Sequence, residues 1–186
     1  MSEVKEHSQF SLRYPLMLKT LMNRPVSLYP DKLGVVYRNP DTSQYFRFTW
    51  LEWYKRTSRL ARVLKESFRV GIGKPSEPGD RVATMAFNHH RHLELYYGVP
   101  CIGAILHLIN VRLAPDHIVH TIRHAEDKII FFDDSILPLL ERIFKRIKKW
   151  TEKKSNKLQV FKLPVLTEPR DGLPVDLSTV KPEDLE

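Results

Sequence analysis

The sequence predicts an α/β protein: an open, mostly parallel sheet with helices on its flanks. Two observations predict it. Val82 to Phe87, Ala104 to Ile109 (interrupted by His107) and Ile129 to Phe132 are apolar runs without the alternation of a strand that has one wet face. Such runs suit a parallel sheet buried on both sides. Helical stretches separate them, the alternation of strands joined by right-handed crossovers. The composition agrees: 186 residues, 42% hydrophobic and 28% charged, are enough for one domain with a real core.

The elements follow in order. Gly34 to Arg38 and Tyr45 to Phe48 read as short strands. Thr49-Trp50-Leu51-Glu52 fits a capping box, in which the threonine oxygen takes a free backbone N–H and the glutamate reaches back. Trp53, Thr57, Leu60, Leu64 and Phe68 then fall on one helical stripe, which ends at the glycine- and proline-rich stretch 70–79. After the first two long apolar runs, Asp116 to Ala125 reads as a short helix, with Pro115 near its start where a missing N–H costs nothing. Ile136 to Trp150 reads as a second, capped by Asp134 or Ser135, and Leu158 to Leu163 as a further strand. Beyond Pro164 the prolines at 169, 174 and 182 turn the chain to loop. In open sheets of this kind ligands bind at the carboxyl ends of the strands. Those ends are Phe87-Asn88-His89, Ile109-Asn110 and Phe132-Asp133-Asp134.

Charge and cysteine content narrow the setting. The formal net charge is +8, and Arg142 to Lys157 holds eight Lys or Arg in sixteen positions. That run admits a patch for nucleic acid or an anionic membrane, or a solvated helix face; the second is favoured because no nucleic-acid-binding motif accompanies it. A single cysteine, Cys101, fits a reducing cytoplasm and reads as filler in an apolar helix. No apolar run is long enough for a transmembrane helix, and the first residues lack the basic start and apolar stretch of a signal peptide.

The chemistry-bearing residues divide into three groups. His89, His90 and His92 crowd the end of one strand; neighbours in a strand-to-helix turn diverge, so a polar contact to substrate from Asn88 or His89 is favoured over a metal site. His117, His120 and His124 share one helix face, read as wet rather than zinc-binding. Asp133-Asp134 could hold Mg²⁺ but reads as a turn and helix cap. Gly71-x-Gly73 lies between a helix and a proline-rich turn, the wrong place for a nucleotide loop, and Gly73-Lys74 has no glycine five residues before Gly73, so it is no Walker loop.

Residues 79–141, GDRVATMAFNHHRHLELYYGVPCIGAILHLINVRLAPDHIVHTIRHAEDKIIFFDDSILPLLE, resemble medium- and long-chain fatty-acyl-CoA synthetases of the AMP-forming adenylating family. Such proteins read close to GDRVATLxWNxxRHLELYxxVPxxGAVLHTxNPRLxPEQIxYIxNHAEDxVxFxD, and weaker agreement runs back through 48–64 and 11–32. Phe87 stands where many members have tryptophan, and Leu108 and Val111 stand at the threonine and proline of LHTxNPRL. The resemblance implies an incomplete N-terminal subdomain of the adenylate-forming ligase fold. Residues 1–164 would be a partial N-terminal domain and 165–186 a linker-like tail. It implies an enzyme that activates a fatty acid with ATP and Mg²⁺ and passes the acyl group to CoA. The Ser/Thr/Gly-rich ATP loop of that family, roughly TSGTTGxPK, occurs nowhere in these residues. The chain alone is therefore expected to bind none of these cofactors and to be inactive without a second chain carrying the loop and the C-terminal domain. Self-association through an open sheet edge is a further expectation. Position at strand ends nominates Asn88, His89, Asn110 and Arg112 for contacts to the acyl group or CoA. The alternative is a non-catalytic binding module that uses the basic helix for anionic partners; no nucleic-acid partner is expected.

Overall fold

The computed structural model describes residues 17–71, 79–151 and 158–162. Its centre is a four-stranded, all-parallel sheet of β3 (Arg81–Met85), β4 (Ile105–Leu108), β5 (Ile129–Phe132) and β6 (Gln159–Lys162), in the order β4-β3-β5-β6. The chain moves from β3 outward to β4, returns past β3 to β5, and continues to β6. Reversing the direction of travel with one crossover hand requires the helices to change face. They do. Helices α2 (Trp50–Glu66) and α3 (His90–Cys101) contribute Leu64, Leu95 and Val99 to a core with Val82, Ile129 and Phe131. On the other face, α4 (Pro115–Ala125) and α5 (Leu137–Thr151) place Ile118, Ile122, Leu140, Ile143 and Ile147 against Ala83, Met85, Ile130 and Phe132. Successive residues of β3 and β5 thus feed opposite cores, so neither strand has a wet face; the polar Thr84 of β3 is itself buried and bonded to His92.

That explains why the apolar runs read correctly as β3 and β5, and why the third run is different. β4 is an edge strand: Ile105 is 41% exposed and Leu108 46%. The expectation of burial on both faces therefore fails at β4, because it has a neighbour on one side only among the described residues.

The first two strands do not join this sheet either. β1 (Leu33–Arg38) and β2 (Tyr45–Thr49) form a separate antiparallel hairpin. It rests on α2 and α3 through Val35, Phe48 and the Trp50–Trp53 edge-to-face pair. The capping box that starts α2 is present in full. The Thr49 side chain accepts the Glu52 amide at 3.2 Å, and Glu52 accepts the Thr49 amide at 2.8 Å. An element with no sequence assignment precedes the hairpin: α1 (Leu18–Leu28), with Pro25 in its interior. Proline there removes one helical hydrogen bond; the carbonyl that loses it belongs to Leu21, on the solvent side at 61% exposure. β3 and β4 are led in by a close approach: a Cβ on Gly79 would lie 2.4 Å from the Gly103 carbonyl oxygen. Gly103 itself turns at φ 76°, where a side chain is strained.

Residues 165–186, the expected linker-like tail, and residues 152–157 of the basic run lie outside the described residues, so the expected boundary at 164 has no structural counterpart here. Among the described residues no helix is long and apolar enough to cross a membrane.

Candidate functional site

The order β4-β3-β5-β6 fixes where a site belongs. The strand order reverses between β3 and β5, and a crevice opens at the carboxyl ends of the two strands flanking such a switch point. The residues there are Phe87 to His89 after β3 and Asp133 after β5. The register Met85↔Phe132 brings them together.

Asp133 closes this crevice. One carboxylate oxygen accepts the Phe87 amide at 2.8 Å, and the other lies 2.7 Å from His89 Nε2. His89 is the N-cap of α3, and its Nδ1 accepts the His92 amide at 3.1 Å. An imidazole nitrogen that accepts a backbone N–H carries no proton, so the proton sits on Nε2 and is donated to Asp133. Burial alone would raise the Asp133 carboxyl. The hydrogen bonds from His89 and the Phe87 amide outweigh it and hold the group below its ordinary range. The expected helix-capping role of Asp133 is thereby corrected: it makes no side-chain cap for the 3₁₀ turn Asp134–Ile136 and instead ties the ends of β3 and β5 together. Ser135 lies inside that turn, and α5 starts at Leu137.

The other two histidines of the cluster diverge from His89. His92 donates from Nδ1 to the Phe87 carbonyl at 3.2 Å and accepts at Nε2 from the Thr84 hydroxyl at 3.0 Å, inside the sheet–helix core. Burial, with the neighbouring His89, lowers its pKa against the pull of the Phe87 carbonyl. His90 turns the other way, under the hairpin, and is 3% exposed. Its ring lies 5.2–5.4 Å from the rings of Tyr37, Phe46 and Phe48, stacked on Phe46 at 27°. Neither ring nitrogen has a hydrogen-bond partner among the described residues. Burial, reinforced by the charges of Arg91, Arg56 and His89, pushes its pKa from 6.5 down to about 3. Beside it, Arg56 meets Glu94 at 2.6 Å under the Phe48 ring, with both side chains largely buried. Burial pushes the Glu94 carboxyl up against that pull.

Between β1 and the first turns of α3 runs an open groove of about 360 Å³, lined by Val35 to Tyr37, by Asn88 to His90, and by His92, Leu93 and Tyr96. Of the four residues nominated from sequence, the structure brings Asn88 and His89 together on this groove. Asn110 and Arg112 sit on the loop after β4, both exposed and outside its lining; the Asn110 side chain accepts the Arg112 amide at 2.9 Å. Sequence reasoning missed Tyr37, named His90 only as one of a crowded cluster, and read Asp133 as a turn and helix cap. For Asp133 a signal existed: once β3 and β5 are neighbours, the first residue after β5 must face the turn after β3.

The remaining candidates have structural roles. His117, His120 and His124 are exposed on α4, as read, with His120 and His124 stacked at 5.9 Å. No group of three or more possible metal ligands occurs among the described residues. Cys101 ends α3, partly buried against the hairpin core. In the basic run, Arg146 pairs with Asp116 of α4, and Arg123 donates to the Arg146 carbonyl at 2.9 Å.

Comparison with known proteins fits this architecture. Over 128 residues the chain is 46% identical to the long-chain-fatty-acid–CoA ligase of Thermus thermophilus, a match covering 69% of this chain and 22% of that protein. Over 97 residues it is 41% identical to the medium-chain-fatty-acid–CoA ligase of Ectopseudomonas oleovorans, covering 52% and 16%. The chain thus spans a minor part of the length of these relatives. Its fold superposes on the fatty acyl CoA synthetase of Mycobacterium tuberculosis with a TM-score of 0.62 at 20% identity, over 78% of this chain and 26% of that one. A sequence model described as AMP-binding enzyme matches residues 23–185. That range takes in the hairpin, the whole parallel sheet and the switch point, and the chain belongs to the AMP-binding enzyme family.

Proposed function

We propose that this chain forms the N-terminal part of an AMP-forming fatty-acid–CoA ligase, which converts a fatty acid, ATP and CoA into acyl-CoA through an acyl-adenylate. The observation that carries this reading is the 46% identity over 128 residues with a long-chain-fatty-acid–CoA ligase. Nothing in the comparisons favours the alternative of a non-catalytic module recruited through the basic helix.

The residues present do not fit the nucleotide. A phosphate cradle needs clustered glycine N–H groups at a strand-to-helix turn. Here that turn reads Phe87-Asn88-His89 without glycine, and its Phe87 amide is already taken by the Asp133 carboxylate. A carboxylate at that spot repels a triphosphate. No step of adenylation is assigned to these residues. Binding of ATP and Mg²⁺ falls to a region carrying the Ser/Thr/Gly loop, on the same polypeptide or on a second chain. The contribution proposed for this chain is a rigid wall. Asn88 presents its amide along the groove beside His89, whose orientation is fixed from both ring nitrogens. Asn110 and Arg112, one loop over, supply an amide and a cation for the acyl carbonyl or a CoA phosphate. The cytoplasm is the compartment proposed.

The test is a chimera: the matching segment of the Thermus thermophilus ligase replaced by this chain. Fatty-acid-dependent AMP release above the segment-deleted control is expected. A chimera that folds and binds ATP but releases no AMP with any fatty acid would sink the reading.

A further inference from the structure

The wet face of α4 carries a matched pair of histidines. His120 and His124 stand about one helical turn apart, so their side chains lie one above the other. Both are exposed, and their rings lie 5.9 Å apart between centroids and within 11° of parallel. Neither makes a hydrogen bond or an ion pair among the described residues. Histidines elsewhere in the fold differ. His89 and His92 engage both ring nitrogens internally, His90 is sealed under the hairpin, and His107 meets Asp127 through Nδ1 at 2.9 Å. The charged groups at the margin of the α4 face hold one another: Asp116 pairs with Arg146, and Arg123 donates to the Arg146 carbonyl.

We infer that His120 and His124 form a two-point clamp for one borderline transition-metal ion of the Zn²⁺, Ni²⁺ and Cu²⁺ class. Imidazole nitrogens suit these ions, whereas Mg²⁺ and Ca²⁺ take oxygen ligands. Two histidines at i and i+4 on one helix face can reach a single zinc ion. A tetrahedral ion at about 2.0–2.1 Å from each nitrogen places the two nitrogens about 3.3 Å apart. The exposed side chains reach that separation by turning about their own bonds, and no hydrogen bond among the described residues has to break. No group of three or more possible ligands occurs among the described residues, so the clamp supplies two ligands and water completes the shell. Structural zinc sites use four protein ligands and catalytic ones three. The ion held here is therefore exchangeable. The family pattern has tyrosine at position 120, so the resemblance does not supply the pair. The inference stands apart from the ligase reading and does not depend on it.

The probe is Zn²⁺ alone, titrated calorimetrically into the full chain at pH 7.5 in the presence of excess Mg²⁺. The chain is used as wild type, His120→Gln, His124→Gln and His117→Gln. One ion per chain is expected for the wild type, with Cu²⁺ bound more tightly than Zn²⁺. Losing either ligand should weaken binding at least about tenfold, whereas His117→Gln should change it by less than about threefold. All three positions are exposed, so melting temperatures without metal should match the wild type. Proton resonances give a readout that needs no variant: substoichiometric Cu²⁺ should broaden the ring signals of His120 and His124 before those of His89, His90 and His92. Absence of binding, binding that survives both His120→Gln and His124→Gln, or earlier broadening of His89, His90 or His92 overturns the inference. An equal loss in His117→Gln overturns the two-point geometry. A ratio of one ion to two chains overturns it as well, because the ion is then shared between copies.

Discussion

His90 should make this fold acid-sensitive, and the size of the effect follows from the structure. The folded protein holds the imidazole neutral in its aromatic box, with a pKa of about 3, whereas the unfolded chain returns it to 6.5. Below pH 6.5 the unfolded state binds a proton that the folded state refuses. The stabilisation from keeping His90 neutral is therefore fully present above pH 6.5 and lost progressively as pH falls towards 3. Each pH unit in that window costs about 1.4 kcal/mol, so at pH 5.0 the loss is about 2 kcal/mol. For a chain of this size that corresponds to about 4–8 °C in melting temperature. His90→Phe keeps a ring in the box and removes the titration. Any packing cost of the larger ring is the same at both pH values and cancels. The assay is thermal unfolding by circular dichroism at pH 7.5 and 5.0. The wild type should lose about 2 kcal/mol more than His90→Phe between them. His92 and the carboxylates titrate in both proteins and cancel. Parallel losses would refute the placement of His90 beneath the hairpin.

Three further outcomes follow from neighbouring contacts. Glu94→Gln strips the buried partner from Arg56 and should cost about 3 kcal/mol by urea denaturation, whereas Glu66→Gln, which breaks the exposed Arg62 pair, should cost under about 0.5. Asp133→Asn keeps an acceptor for the Phe87 amide but loses the charge that receives the His89 proton; a loss of about 1–3 kcal/mol is expected at pH 7. Because the Asp133 carboxyl is held below 3.8, its contribution persists above that pH and disappears as pH falls through the folded-state value, so wild type and Asn variant should converge in strong acid. Gly79→Ala drives a Cβ against the Gly103 carbonyl oxygen and should cost about 1–3 kcal/mol, while Gly71→Ala, with nothing within 4 Å, should fall within about 0.5 of wild type.

What the sequence made legible was local. The capping box, the α2 stripe and the wet histidine face of α4 all lie within a few turns of their own residues, where periodicity reads directly. β3 and β5 were legible because burial on both faces leaves a continuous apolar run. What stayed hidden depends on partners far along the chain. β4 has an equally apolar run, yet its exposure depends on its edge position, which periodicity does not encode. His90 and His92 look alike in sequence but are assigned opposite environments by Phe46 and Thr84. Asp133 read as a cap because the turn following β5 invites one; its actual partners are more than forty residues away, at positions 87 and 89. α1 was obscured by Pro25, whose lost bond falls on the solvent side of the helix. The family was legible from 79–133, while the roles of Asn88, His89, Asn110 and Arg112 rest on placement at strand ends.

The proposal that these residues are a working part of a fatty-acid–CoA ligase is decided by ATP–pyrophosphate exchange with this chain, the segment-deleted Thermus thermophilus ligase, and an equimolar mixture of the two. Fatty-acid-dependent exchange is expected from the mixture and none from either alone. A soluble, assembled mixture that gives no exchange with any fatty acid would contradict it.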